Sequence, residues 1–241
     1  MHVALSRPTD DEAFAPIPAD GAQVERWTKR VEGRVQAACD NLERQREQLG
    51  EDEQAMADGV IGRRKALLTL VRRLCKAGKG SLLHRIHGDF HLGQTLVASG
   101  DVMIIDFEGE PSQPLAERRA KDSGWRDVAG ILRSFDYALA AARRSPGAAS
   151  HDGAYATLAT AFRERMPQAL LQAYSEAMAA QNGERSRDVG RDKALLDLFM
   201  VEKAAYEINY EVSNRPDWLG VPLRGLTDLM DRLLSGEADD E

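Results

Sequence analysis

The sequence predicts an α+β fold, mostly α, in which long helices clasp one small β-hairpin. Three observations carry this. Apolar residues recur at three- and four-residue spacing over several long stretches, a single pair of short apolar runs brackets a turn signal, and polar segments marked by Pro or Gly separate these pieces.

Residues 1–20, with Pro8, Pro16 and Pro18, hold no stable period and are expected to form an extended lead-in. A single lobe is expected over 21–235, followed by a fraying acidic tail at 236–241. From Val24, the residues Trp27, Val31, Val35, Ala38 and Leu42 repeat amid charged neighbours, the stripe of a long amphipathic helix that Gly50 ends. A second helix is expected from about Asp52 to Lys76, packing Val60, Leu67, Leu68, Val71 and Leu74, with Gly78 and Gly80 releasing the chain. The runs Thr95 to Ala98 and Val102 to Ile105 flank Ser99-Gly100-Asp101 and read as the hairpin. The stretch EPSQPLAERRAKDSG, holding Pro111 and Pro114, is too broken for regular structure. Trp125 to Arg144 is helical again, with Val128, Ile131, Leu132, Phe135 and Leu139 on one face, and Ser145-Pro146-Gly147 stops it. Helices follow over Gly153 to Gln181, Asp188 to Val212 and Leu223 to Leu234, the first two separated by the hydrophilic stretch Asn182 to Arg187.

A chain of 241 residues with 43% hydrophobic and 29% charged residues can bury a sizeable core. Its net charge of -7 argues against a nucleic-acid partner, which a basic excess would serve, but does not forbid a nucleotide. Cys39 and Cys75 show no metal-ligand spacing and read as reduced thiols. Nothing approaches the length of a membrane span, and the start MHVALSRPTDDEAF lacks the order of a secretion signal, so a cytoplasmic location is expected.

Functional groups crowd both ends of the hairpin. His87, Asp89, His91 and Gln94 precede it, and Asp106 and Glu108 follow it. Antiparallel strands of similar length bring those ends side by side, so one site can hold them all. Phosphoryl transfer needs a carboxylate to orient and deprotonate the attacking hydroxyl, and oxygen ligands to hold magnesium on the nucleotide phosphates. The kinase signature sets an Asp two residues after a His, an Asn five residues further on, and an Asp-Phe pair beyond the next strand. His87, Asp89 and Gln94 keep that spacing, with Gln in place of Asn, and Asp106-Phe107 stands beyond the hairpin. Glu108 replaces the Gly of protein kinases, which points to a small-molecule kinase. In such a loop His87 packs inward and fixes the backbone by hydrogen bonds.

The words HGDFHLGQTL, MIIDFEGEPSQPLAERRAKDSGWRDVAGILRSFDYA and VEKAAYEINYEVSNRPDWLGVPLRG resemble the C-terminal lobe of bacterial maltokinases. These are relatives of the aminoglycoside phosphotransferases in the protein-kinase-like superfamily, often fused to trehalose synthase. The resemblance runs from Met1 to about Leu226. It implies the C-terminal lobe of a kinase-like fold and ATP-dependent phosphorylation of maltose to maltose 1-phosphate, with Mg2+ as cofactor and ATP as co-substrate. It also implies that Asp89 is the catalytic base, that Gln94 and Asp106 hold magnesium, and that Asp127 braces the catalytic loop through backbone hydrogen bonds.

Family members carry a second, N-terminal lobe with the nucleotide-covering loop and its lysine, and no part of this chain matches either. Gly78-Lys79-Gly80-Ser81 lacks the upstream glycine of a P-loop and reads as a plain turn. A chain that is catalytically silent alone, or a binding module that docks onto a separate N-terminal lobe or onto trehalose synthase, is therefore a second reading. A third takes His84, His87, Asp89 and His91 with Asp106 and Glu108 as a metallohydrolase cluster, but leaves Gln94 and the IIDFEGE segment unexplained.

Tyr206 and Tyr210 share a helix face, and Asn214, Arg215, Asp217 and Trp218 follow. Rings flanked by acids and amides suit a sugar, as readily as they suit a packed tyrosine pair with a capping Asn. The resemblance favours a maltose pocket there, to which His91 and Glu108 are also candidates. The basic run Arg118, Arg119, Lys121 and Arg126 reads as a solvated loop, and Glu110 as a sugar contact or an ion-pair partner of that run.

Overall fold

A computed structural model describes residues 1–145, 152–182 and 188–235. In chain order the elements are α1 (His2–Leu5), β1 (Ile17–Pro18), α2 (Gly21–Gln45), α3 (Glu51–Gly62), α4 (Arg64–Ala77), β2 (Leu82–Leu83), β3 (Thr95–Ala98), β4 (Asp101–Ile104), α5 (Leu115–Arg118), α6 (Trp125–Arg144), α7 (Asp152–Asn182), α8 (Val189–Asn214) and α9 (Gly220–Ser235). The protein is thus mostly helical, with two small sheets among the described residues. Two compact units share these elements. One draws on Met1–Ile17 and Leu82–Val189, the other on Pro18–Ser81 and the chain from Gly190 onward.

In the second of these units, α2 starts at Asp20, whose carboxylate accepts the Gln23 N–H at 2.7 Å, an N-cap that satisfies one open donor. Of the stripe predicted from periodicity, Trp27, Val31, Val35, Ala38 and Leu42 are fully buried and Val24 is half-buried. Trp27 meets Phe199 of α8 edge to face at 5.9 Å, and a Cβ at Gly78 would stand 2.7 Å from Leu195 and 2.8 Å from Trp27. Glu202 is buried on α8, where Arg30 and Arg34 hold its carboxylate at 2.6 and 2.8 Å. Cys39 and Cys75 are buried without a disulfide, and burial pushes both thiols up to about 11, which leaves them inert.

The helix expected from Asp52 to Lys76 is two helices. Arg63 leaves helical geometry (φ -99°, ψ 12°) just after Gly62, and the break lets α3 pack on α9 while α4 packs on α2. The apolar period continues across the break, which is why periodicity alone reads it as one helix.

In the first unit, α6 buries Val128, Ile131, Leu132, Phe135 and Leu139, with Phe135 edge to face against Phe162 of α7 at 5.5 Å. The hairpin pairs Thr95 with Ile104, Leu96 with Met103, Val97 with Val102 and Ala98 with Asp101. Asp101 therefore opens β4 instead of sitting in the turn, and Ile105 lies beyond it. The turn is the two residues Ser99 (φ 54°) and Gly100 (φ 81°), both left-handed as the tight hairpin turn that matches strand twist requires. The polar loop expected to be irregular contains one helical turn, α5, started by Pro114.

The lead-in is not extended throughout. His2–Leu5 folds because the His2 side chain is drawn into a buried polar site, and Ser6 N–H closes the turn on the His2 carbonyl at 2.8 Å. Phe14 lies under the Arg85 guanidinium at 5.7 Å, and Lys121 donates to the Glu12 carbonyl at 2.7 Å, so the lead-in around Glu12 and Phe14 is held by the same unit. The segments 146–151 and 183–187 and the acidic tail at 236–241 lie outside the described residues.

Candidate active site

The site begins where the chain leaves β2. His84 exchanges both backbone hydrogen bonds with Asp122, at 3.1 and 3.0 Å, which anchors the incoming strand beside the start of α6. Gly88 then turns the chain with φ 85°. In that turn the buried Asp127, from the first turn of α6, accepts the His87 N–H at 2.7 Å and the Gly88 N–H at 2.9 Å, one on each oxygen. His87 fixes the loop from the other side. Its ring Nε2 donates to the Ile105 carbonyl at 2.8 Å, and its Nδ1 accepts the Asp89 N–H at 3.4 Å. The loop carrying Asp89 is thus wired both to α6 and to the residue just before Asp106.

Further along, Phe90 runs across α6 so closely that a Cβ on Gly130 would overlap its carbonyl oxygen. Leu92 N–H donates to Ser134 Oγ of the same helix at 3.1 Å. His91 is half-buried. Its Nδ1 accepts the Gly93 N–H at 3.0 Å, and its Nε2 stands 3.8 Å from the Asp89 carboxylate, whose side chain is 18% exposed.

Across the hairpin, Ile105 N–H donates to the Gln94 carbonyl at 3.0 Å, and the Gln94 amide approaches Asp106 Oδ2 at 3.3 Å. Asp106 has φ 61°, left-handed backbone that an L residue adopts at a free-energy cost. Gly109, at φ 75°, brings the following loop against Gly88, and Arg118 donates to the Glu108 carbonyl at 3.2 Å. His87, Asp89, Gln94, Asp106 and Asp127 therefore form one bonded assembly. The exposed Asp106 carboxylate is a hard oxygen donor that suits magnesium, which takes few protein ligands and completes its shell with phosphate and water. Gln94 turns its amide N–H2 toward that carboxylate and adds its own oxygen only with the amide turned over. Among the described residues no group of three or more His, Cys, Asp and Glu is arranged to hold a metal.

Burial by itself would drive the Asp127 carboxyl up. The hydrogen bond and charge of His2, together with the Gly88 and His87 N–H groups, outweigh it and hold the carboxyl below the usual carboxylate range. His2 was not legible as a site residue, because no motif or period surrounds it. Its Nε2 donates to Asp127 at 2.8 Å. Burial lowers the imidazole of His84 below its ordinary value, so that ring is neutral near pH 7.

The remaining candidates belong to the other unit. There Tyr206 and Tyr210 stack at 6.4 Å, and Arg215 forks onto Glu211 at 2.9 and 2.6 Å while lying over Tyr210 and Trp218 at 5.5 and 5.4 Å. Arg34, which spacing could not pair with them, and Lys203, one turn earlier on α8, lie over Tyr206 at 5.2 and 5.0 Å. Asn214 donates to the Tyr210 carbonyl at 2.8 Å and so closes the end of α8.

No known family profile matches the chain. A glucosamine kinase from Streptacidiphilus jiangxiensis is 29% identical over 234 residues, 95% of this chain and 47% of that protein. A glucosamine kinase from Mycolicibacterium smegmatis is 28% identical over 152 residues, 60% of this chain and 34% of that protein. Among solved structures, a glucosamine kinase in complex with glucosamine, ADP and inorganic phosphate superposes with a TM-score of 0.78 at 26% identity, covering 98% of this chain and 53% of that one. A second crystal form of a glucosamine kinase gives 0.75, over 95% and 49%. The chain is similar to sugar kinases throughout its length, and spans about half the length of these relatives or less. No described helix is long and apolar enough to cross a membrane.

Proposed function

We propose that this chain carries the phosphoryl-acceptor centre of an ATP-dependent sugar kinase. The observation that supports this best is the wiring of Asp89 to the Gln94–Asp106 pair through His87 and Ile105. The similarity to glucosamine kinases along nearly the whole chain supports the same reading.

In this reading Asp89 accepts the proton of the sugar hydroxyl as its oxygen attacks the terminal phosphorus, and the bond from that phosphorus to the leaving diphosphate oxygen breaks. Asp106 and Gln94 would hold Mg2+, which when bound neutralises charge on the phosphates. Asp127 and His87 keep the Asp89 backbone fixed, so the base is in place before substrate arrives.

Glucosamine is the first candidate acceptor, because it is what the complexed relative holds. Its ammonium group calls for a carboxylate, and the exposed Glu108, two residues from Asp106, is the one we assign. Maltose is the second candidate, supported by the resemblance of the words VEKAAYEINYEVSNRPDWLGVPLRG to maltokinases. The chain alone turns over slowly or not at all in this reading, since no glycine-rich nucleotide loop with its lysine occurs in its 241 residues. The relatives it matches are about twice as long, and in this reading a nucleotide-binding lobe, joined or separate, completes it.

The test is phosphorus NMR of ATP with glucosamine or maltose, using the chain alone and the chain joined to a nucleotide-binding lobe. Sugar phosphate should form with the joined protein, and Asp89→Asn should lower the rate by about a hundredfold or more without unfolding it. A wild-type rate in the folded Asp89→Asn protein contradicts the assignment. Glu108→Gln should raise KM for glucosamine and leave that for maltose unchanged.

A further inference from the structure

We infer that His2 and Tyr174 form a positioning relay that sets the conformation of the loop carrying Asp89, from two helices outside that loop. Three donors converge on the Asp127 carboxylate, which is only 2% exposed: His87 N–H and His2 Nε2 on Oδ2, at 2.7 and 2.8 Å, and Gly88 N–H on Oδ1, at 2.9 Å. Two of these donors are the backbone of the loop. The third is a side chain from α1. A buried carboxylate that loses one donor is left undersolvated and must recover the contact by shifting or by admitting water, and either change moves the loop N–H groups that share its oxygens.

His2 is itself held. Its Nδ1 lies 3.2 Å from Tyr174 Oη on α7, and Tyr174 packs edge to face on both His2 (5.6 Å) and Trp125 (5.0 Å), the first residue of α6. Contact with Tyr174 at one nitrogen orients the ring so that the other nitrogen points its proton at Asp127. Gly124 makes room for this arrangement. A Cβ there would stand 2.6 Å from Tyr174 Oη, 3.0 Å from His2 Nδ1 and 3.2 Å from His84 Nε2. The path from α7 to Asp89 is therefore continuous: Tyr174, His2, Asp127, then the amides of His87 and Gly88.

The catalytic consequence rests on the kinase reading; the conformational one does not, and the experiment separates them. Amide hydrogen exchange of the full chain is measured for wild type, His2→Leu, His2→Gln and Tyr174→Phe. His2→Leu removes the donor while keeping an apolar side chain, and His2→Gln restores a donor at the Nε2 position. In His2→Leu the amides of His87 and Gly88 should exchange about tenfold faster or more, while Leu132 and Phe135 in the core of α6 change little. His2→Gln should recover most of that protection, and Tyr174→Phe should give a smaller effect in the same direction. Unchanged exchange at Gly88 in His2→Leu overturns the inference, as does an equal rise at all four positions or a His2→Gln protein no better than His2→Leu. With the nucleotide-binding lobe joined, His2→Leu should lower kcat about tenfold or more, leave KM for the sugar unchanged, and be rescued by His2→Gln. A raised KM with unchanged kcat contradicts the positioning role. Absence of turnover in every protein, wild type included, instead refutes the kinase reading and leaves the exchange result to stand.

Discussion

Gly130 shows how one missing methyl holds the site together. A side chain there would overlap the Phe90 carbonyl, so α6 and the loop carrying Asp89 can approach only because the residue is glycine. Gly130→Ala should destabilise the protein by about 1–3 kcal/mol, read as a lower Tm. Gly33 on α2 meets nothing within 4 Å of the same virtual atom, and Gly33→Ala should stabilise by about 0.5–1 kcal/mol. His84 offers a pH test. Its imidazole resists protonation when folded but gains a proton near pH 6.5 when unfolded, so the unfolded state binds more protons just below that pH. The stability in question is present above about pH 6.5 and is lost as pH falls, and His84→Gln should flatten the slope of Tm against pH there. The depressed carboxyl of Asp127 acts in a separate window, its stabilisation being lost only as pH falls below about 3.9. Of these residues Asp127 was legible only through the resemblance to maltokinases. His2, Gly124 and Gly130 were not, because each is defined by a contact with a residue distant in the chain.

The β3–β4 hairpin shapes the site, yet none of its strand residues is buried. Leu96, Val97, Val102 and Met103 are all exposed, Val97 at 79%, so packing contributes little and the turn must set the register. Gly100→Val forces a β-branched residue into left-handed backbone and should cost about 1–2 kcal/mol. Its signature is faster amide exchange at Leu96, Met103 and Ile105, whose pairs exchange the cross-strand hydrogen bonds, with the amides of α2 unaffected. Helix α6 was readable residue for residue and α2 in its buried stripe, since such a stripe is written into the chain itself. But α2 ends at Gln45 and gives way to a 3₁₀ turn over Arg46–Gln48, while Gly50, expected to end it, caps the start of α3. The break at Arg63 and the single turn α5 were not, because tertiary partners decide both.

At the scale of the molecule, each compact unit is assembled from two separate stretches of chain. Neither composition nor linkers mark such a division in the sequence. The second unit depends on Trp27, fully buried against Phe199 and Gly78, and Trp27→Ala should cost about 3–5 kcal/mol in urea unfolding. The account of function depends on the first unit bringing Asp89, Gln94 and Asp106 to one place. The most direct test is paramagnetic broadening of backbone amides by Mn2+ in the presence of ATP. The amides of residues 91–95 and 105–107 should broaden together at low Mn2+, and Asp106→Asn should abolish the effect. Broadening centred elsewhere, or unchanged in the Asp106→Asn protein, would contradict the proposed phosphoryl-transfer centre.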